Sequence, residues 1–145
     1  MNIFYLDKDP KIAAEYQYNK HVVKMILESA QMLCATHHVI GIWVRENSLH
    51  YEWLWNHMIA LGDEYTKRYG KTHLSITKML DHEMWSYPPS IPHEPFEQPP
   101  QCMPDEYKDE CSVQAYWNYY IGEKHIVANP KKEQIYQKIP MAIAV

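Results

Sequence analysis

Hydrophobic residues recur at helical spacing along most of this chain. On a helical wheel at about 100° per residue, residues 10–38 gather Ile12, Tyr16, Val22, Val23, Ile26, Leu27, Ala30, Leu33 and Cys34 on one side. That is the buried face of an amphipathic helix. Asn19 and His37 fall on the same face and need buried partners there. Asp9-Pro10 marks the start, because the carboxylate can cap free amides and proline suits the first helical turn. The spacing predicts one helix to about His38, stopping before Gly41. A second helix is predicted from Asn47 or Ser48 to Tyr69, with Gly70 as its stop. Its apolar face carries Tyr51, Leu54, Trp55, Met58, Leu61, Tyr65 and Tyr69. Thr72 can cap a third helix over about 73–85, and Ser112 a fourth to about Lys124. The fourth has Val113, Tyr116, Trp117, Tyr120 and Ile121 on one side.

Between the last two helices, residues 86 to about 109 hold seven prolines and no glycine, which disfavours helix and central strand alike. So long a loop is either the wall of a site or a packed wrap. Residues 2–6 form a short strand or extended arm, with which the apolar tail 141–145 could pair. The expected fold is mostly α: one compact domain over 1–145, of about four helices, with the N-terminal arm, the proline-rich loop and a C-terminal tail over about 126–145.

Composition narrows the partners. Hydrophobic residues make up 46% of the 145, enough for a core, and the aromatics are twelve Tyr and five Trp against two Phe. Such amphipathic rings suit a half-wet pocket or interface as well as a small core. A net charge of −4 argues against general electrostatic wrapping of DNA but leaves room for a local basic site. Nine histidines add positive charge as pH falls below about 6.5. Cys34, Cys102 and Cys111 form no CxxC pair, and Cys34 on the apolar face reads as a buried thiol. A reducing, cytosolic setting fits them. No basic leader with a long apolar run opens the chain, and no segment approaches the roughly 18 apolar residues of a membrane span.

The candidate chemistry lies on two polar stripes. Lys20, Gln31, Lys24, Gln17, Glu28 and His21 fill an arc of roughly 100° beside the apolar face of the first helix. Lys20 and Lys24 stand four apart and repel unless an anion sits between them, whereas Lys24 and Glu28 can pair. The set suits phosphate binding, or metal-free acid–base work on a phosphodiester. A solvated helix face with one weak ion pair has the same pattern. On the second helix His50, His57, Glu64 and Arg68 form another stripe, and Arg45 just before it offers a bidentate fork. If both stripes flank one groove, it holds three histidines and a basic pair; polar shoulders of a packed helix look the same. Tyr116, Trp117, Tyr119, Tyr120, Trp43 and Trp53 could stack a base or fill the core. No HExxH, HxxxH or Cys–His ligand set occurs, and His37-His38 and Asp81-His82-Glu83 splay about a helix. Neither a metal nor a cofactor is expected. P-loop, GxGxxG and nucleophile-elbow motifs are also missing.

The opening Met1-Asn2-Ile3-Phe4-Tyr5-Leu6-Asp7-Lys8-Asp9-Pro10 and the run Asn19-Lys20-His21-Val22-Val23-Lys24-Met25-Ile26-Leu27-Glu28-Ser29-Ala30-Gln31 resemble small proteins of tailed bacteriophages. Pro99-Pro100-Gln101-Cys102-Met103-Pro104-Asp105-Glu106-Tyr107 and Tyr116-Trp117-Asn118-Tyr119-Tyr120-Ile121-Gly122-Glu123-Lys124 resemble the same group, so the likeness spans about residues 1–125. It implies a setting, the cytoplasm of an infected bacterium, and not a mechanism.

The leading expectation is a module that binds a nucleotide-like phosphate ligand, with sequestration of a host immune nucleotide signal as its use. Lys20, His21, Lys24, Glu28, Gln31, Arg45, His50, His57 and Arg68 are its candidate ligand-binding residues. One alternative is a metal-independent phosphodiesterase or DNA glycosylase/lyase, with His21 or His57 as acid–base and Glu28 as orienter. Another is an inhibitor that binds a host protein through aromatic surface. A homo-oligomer is left open.

Overall fold

Helix α4, Ser48–Tyr69, is the axis of the fold in the computed structural model, which describes residues 2–34, 39–81 and 90–127. Both of its ends follow local signals. The Asn47 side chain accepts from the Leu49 amide at 2.8 Å, and Gly70 ends the helix in the left-handed region at φ 72°. Buried residues fall all round α4, from His50 and Trp53 to Leu54 and Leu61, so other elements surround it. These are α1 (Pro10–Tyr16), α2 (Asn19–Cys34), α3 (Val39–Glu46) and α5 (Leu74–Asp81). At Gly62 an added Cβ would stand 2.8 Å from Ile76 Cγ1, so the missing side chain lets α5 close onto α4. Helix α6, Ser112–Gly122, follows the proline-rich segment, and short 3-10 turns span Asp105–Tyr107 and Lys124–Val127. The protein is mostly helical, and no strand occurs among the described residues. No helix among them is long and apolar enough to cross a membrane.

The N-terminal segment is an arm. Ile3, Phe4, Tyr5 and Leu6 are all buried, at most 3% exposed, without a sheet to satisfy their backbone. Side chains do that instead. Asn2 Oδ1 accepts from the Ile3 and Phe4 amides at 2.8 and 3.0 Å, and Phe4 takes a positive φ of 49°. The Ile3 carbonyl accepts from Gln17 Nε2 at 3.2 Å, and the Leu6 carbonyl from Trp117 Nε1 at 2.7 Å. Pairing with residues 141–145 lies outside the described residues.

The long first helix expected over 10–38 is broken. It begins as predicted, with Asp9 accepting from the Lys11 amide at 2.8 Å, but Gln17 turns extended at ψ 141°. Tertiary partners force the break. The Gln17 amide nitrogen also reaches His57 Nε2 at 3.0 Å, and the Tyr18 amide donates to the Tyr120 hydroxyl at 2.7 Å. Arg68 donates to the Gln17 and Glu15 carbonyls at 2.7 and 3.2 Å, satisfying groups that a helix end would orphan. The break also rotates the expected face. Ile12, Val23, Leu27 and Cys34 are exposed, while Gln17 and His21 are buried. Asn19 finds its partner in Arg68, at 2.9 Å; His37 lies outside the described residues.

Three smaller expectations also change. Gly41 does not stop a helix but lies buried inside α3, which the sequence missed. There the burial of Ile40, Trp43 and Val44 outweighs a glycine penalty of about 1 kcal/mol. His73, not Thr72, caps α5, accepting from the Ser75 amide at 3.1 Å, and residues 82–85 lie outside the described set. Ser112 is the first residue of α6 rather than its cap, and its hydroxyl donates to the Pro99 carbonyl at 2.9 Å.

From residue 90 the proline-rich segment is a packed wrap. Its carbonyls at Pro92, Glu94 and Pro95 accept from Ser48 and Asn47, and the Pro100 carbonyl accepts from the Tyr116 hydroxyl at 2.7 Å.

Candidate functional site

Four of the nine candidate binding residues are structural. His50 donates from Nδ1 to the Trp43 carbonyl at 2.8 Å, accepts at Nε2 from the Glu97 amide at 2.9 Å, and stacks on Trp43. Both nitrogens are thus engaged, and burial lowers its pKa, so it is a neutral pin for the wrap. His57 is fully buried, bonded through Nδ1 to the Pro10 carbonyl at 2.9 Å and through Nε2 to Gln17. Burial pulls its pKa down to about 4. Arg68 pairs with Glu64 at 2.9 Å, both side chains under 9% exposed. Arg45 donates to the Met32 and Gly41 carbonyls at 2.7 and 3.0 Å, tying the last turn of α2 to α3 rather than presenting a fork. The His50–Arg68 stripe therefore does not share a groove with the stripe on α2.

The α2 stripe does line a cleft, of about 280 Å³. His21, Lys24, Met25 and Glu28 form one wall. Asn2 and Phe4 come from the arm, Cys102 from the wrap, Tyr119 from α6 and Lys124 from the turn after it. Lys20 is exposed outside this lining, and Gln31 lines a separate apolar groove between α2 and α5. Of the lining residues, Tyr119 is among the candidate stacking rings, but Asn2, Cys102 and Lys124 are not among the candidate site residues. No local pattern marks them, because they reach α2 from about eighty to a hundred positions away or from the start of the arm.

The break before α2 sets the cleft's chemistry. It sinks His21, which stacks on Phe4 at 4.4 Å between centroids and meets the Tyr120 hydroxyl through Nδ1 at 2.8 Å. Burial first, then the charges of Lys124, Lys24 and Lys20, pull its pKa down to about 4. At neutral pH His21 is therefore uncharged, a hydrogen-bonding group with no spare proton to give as an acid. Lys24 Nζ stands 3.4 Å from Glu28 Oε1, with the lysine 68% and the glutamate 14% exposed. Glu28 Oε2 also accepts from the Asn2 amide at 3.4 Å. Lys124 lies over the Tyr119 ring at 4.8 Å. Burial pushes the Cys102 thiol up, away from nucleophilic thiolate.

Of the rings proposed for stacking, Tyr116, Trp117 and Tyr120 are wholly buried and belong to the core. Tyr119 alone of the α6 set edges the cleft; Trp43 is covered by His50, and Trp53 lines a different cavity. Among the described residues, no three His, Cys, Asp or Glu side chains gather to hold a metal. Comparison with protein-family models, curated proteins and solved structures gives no match for this chain.

Proposed function

We propose that the α2 cleft binds a small phosphate-bearing ligand of mononucleotide size. The observation that carries this is the convergence of Lys24 and Lys124, a hundred positions apart, on one cleft beside buried His21. Lys20 adds to the positive potential, which is strong enough to act on His21. Glu28 is the one carboxylate in the lining and pairs with Lys24. A phosphate there gains two ammonium groups and one imidazole donor. At about 280 Å³ the cleft falls just below the usual range of roughly 300–1,000 Å³ for ligand pockets. A single nucleotide or phosphosugar suits that space better than a cyclic dinucleotide. The resemblance to phage proteins gives this reading its biological setting, an infected bacterial cytoplasm, and capture of a host nucleotide as its use.

Calorimetry with inorganic phosphate, nucleoside monophosphates, ADP-ribose and cyclic dinucleotides tests the reading. Binding is expected for the monophosphates and should weaken with salt. Lys24→Ala and Lys124→Ala should each weaken it by about ten-fold. That is the low end of roughly 1.5–3 kcal/mol per charge-assisted bond, because Lys24 is well solvated. Silence from every ligand would overturn the proposal and favour the protein-inhibitor alternative.

Acid–base hydrolysis has less support. His57 is sealed in the core, and His21 carries no proton to donate at neutral pH. The Lys24–Glu28 pair does favour a second reading, a glycosylase/lyase. There Glu28 takes a proton from the Lys24 ammonium, the freed amine attacks C1′ of an abasic sugar aldehyde, and Glu28 returns that proton to the hydroxyl, which leaves as water as the iminium forms. Borohydride trapping of a protein–DNA adduct, abolished in Lys24→Ala, is its expected signature. An absent adduct, or one that survives Lys24→Ala, removes it.

A further inference from the structure

A second and larger cavity, of about 600 Å³, opens elsewhere on the molecule. Three aromatic rings wall it, each from a different element: Tyr5 of the arm, Trp53 of α4 and Phe96 of the wrap. Tyr5 and Trp53 stand 4.9 Å apart at 55°, and Tyr5 and Phe96 6.5 Å apart at 26°. Trp53 has its N–H satisfied by the Lys8 carbonyl at 2.8 Å and one face stacked on His57, so it offers the cavity π surface and no donor. Phe96 is 37% exposed on a proline-braced loop, an open ring beside two sheltered ones.

The charged groups in the lining are Glu110 and Lys8, and two further carboxylates, Asp109 and Asp7, act from outside it. Glu110 lines the cavity, and among the described residues no ion pair neutralises it. Asp109 adjoins it and accepts from the amide of Cys111, another lining residue, at 2.9 Å. The charge of Asp7 adds to the burial that pushes the Tyr5 phenol up to about 12. Lys8 is the single cation in the lining. Aromatic faces present negative quadrupole to a cavity, and desolvation strengthens their hold on a cation.

We propose that this cavity is a binding site for a small organic cation of the alkylammonium or guanidinium class, held among Tyr5, Trp53 and Phe96 with Glu110 as counter-charge. Its volume leaves room for a chain or ring attached to the cationic centre. The site shares no lining residue with the α2 cleft, so it does not rest on the phosphate reading.

The test is titration of the whole protein with choline, spermidine and arginine, followed by tryptophan fluorescence and calorimetry. The uncharged shape-match of choline, 3,3-dimethylbutan-1-ol, is the reference. At least one cation should bind, and choline should bind about ten-fold or more tighter than the neutral alcohol, as a desolvated cation–π contact requires. Phe96→Leu, which keeps apolar surface but removes the quadrupole, and Glu110→Gln should each weaken the cation. Lys8→Ala should tighten it. These three positions are at or near the surface, so the fold should survive all three changes. Absence of binding by all three cations would overturn the proposal. So would equal affinity for the neutral alcohol, or weaker cation binding in Lys8→Ala, which would mark the cavity as a site for apolar or anionic ligands.

Discussion

Replacing Arg68 with alanine should destabilise the protein more than any substitution on its surface. The guanidinium is 3% exposed and serves four partners: Glu64, Asn19 and the carbonyls of Gln17 and Glu15. Its removal strands the Glu64 carboxylate, whose side chain is 8% exposed, and takes a donor from two carbonyls at the α1–α2 break. Breaking a buried pair from one side costs about 3–5 kcal/mol, a large share of the roughly 5–15 kcal/mol that holds a domain folded. Arg68→Lys keeps the charge but not the fork and should recover only part of the loss. The double variant Arg68→Met/Glu64→Met removes both charges and should lose less than the two single changes summed. Urea denaturation followed by far-UV circular dichroism measures the loss in each variant and in the two single methionine changes. A loss below about 1 kcal/mol for Arg68→Ala would refute the view that this cluster holds the helix break in place.

Acid should unfold the protein early. His57 and His21 have folded pKa values near 4, against 6.5 ordinarily, so the unfolded chain binds more protons between those values. Stability is therefore full above about pH 6.5 and falls as pH drops toward 4, by about 3 kcal/mol for His57 alone. His57→Gln should flatten that slope in a pH series of denaturant midpoints. Gly70→Ala should cost about 1 kcal/mol through backbone strain alone, since φ is 72° and no atom lies within 4 Å of the added Cβ. Gly70→Asn should cost less, and equal stability of all three in thermal melts would contradict the left-handed cap.

What the sequence made legible was what neighbouring residues decide. Asp9-Pro10, Asn47 and Gly70 act within one turn of themselves, and they mark the ends of α1 and α4 correctly. The prolines likewise exclude helix from the wrap by their own geometry. The break at Gln17 was invisible because its partners are Ile3, His57, Arg68 and Tyr120, each distant in sequence. The same limit explains the second stripe. His50, His57, Glu64 and Arg68 repeat at helical spacing whether they face water or buried partners, and only the fold reveals the partners. Hydrophobic pattern also failed at α3, where tertiary burial overrides Gly41. On α2 the stripe survived as a cleft wall at His21, Lys24 and Glu28, but Lys124 and Asn2 complete the cleft through contacts that spacing does not encode.

Amide chemical-shift mapping of isotope-labelled protein with a nucleoside monophosphate bears most directly on the anion cleft. The signals of Asn2, His21, Lys24, Glu28 and Lys124 should move together and saturate at one ligand per chain. In Lys24→Ala the same shifts should need about ten-fold more ligand, as expected for one solvated charge-assisted contact. No shifts, or shifts confined to the neighbourhood of Tyr5, Trp53 and Phe96, would contradict the assignment of the α2 cleft as the phosphate site.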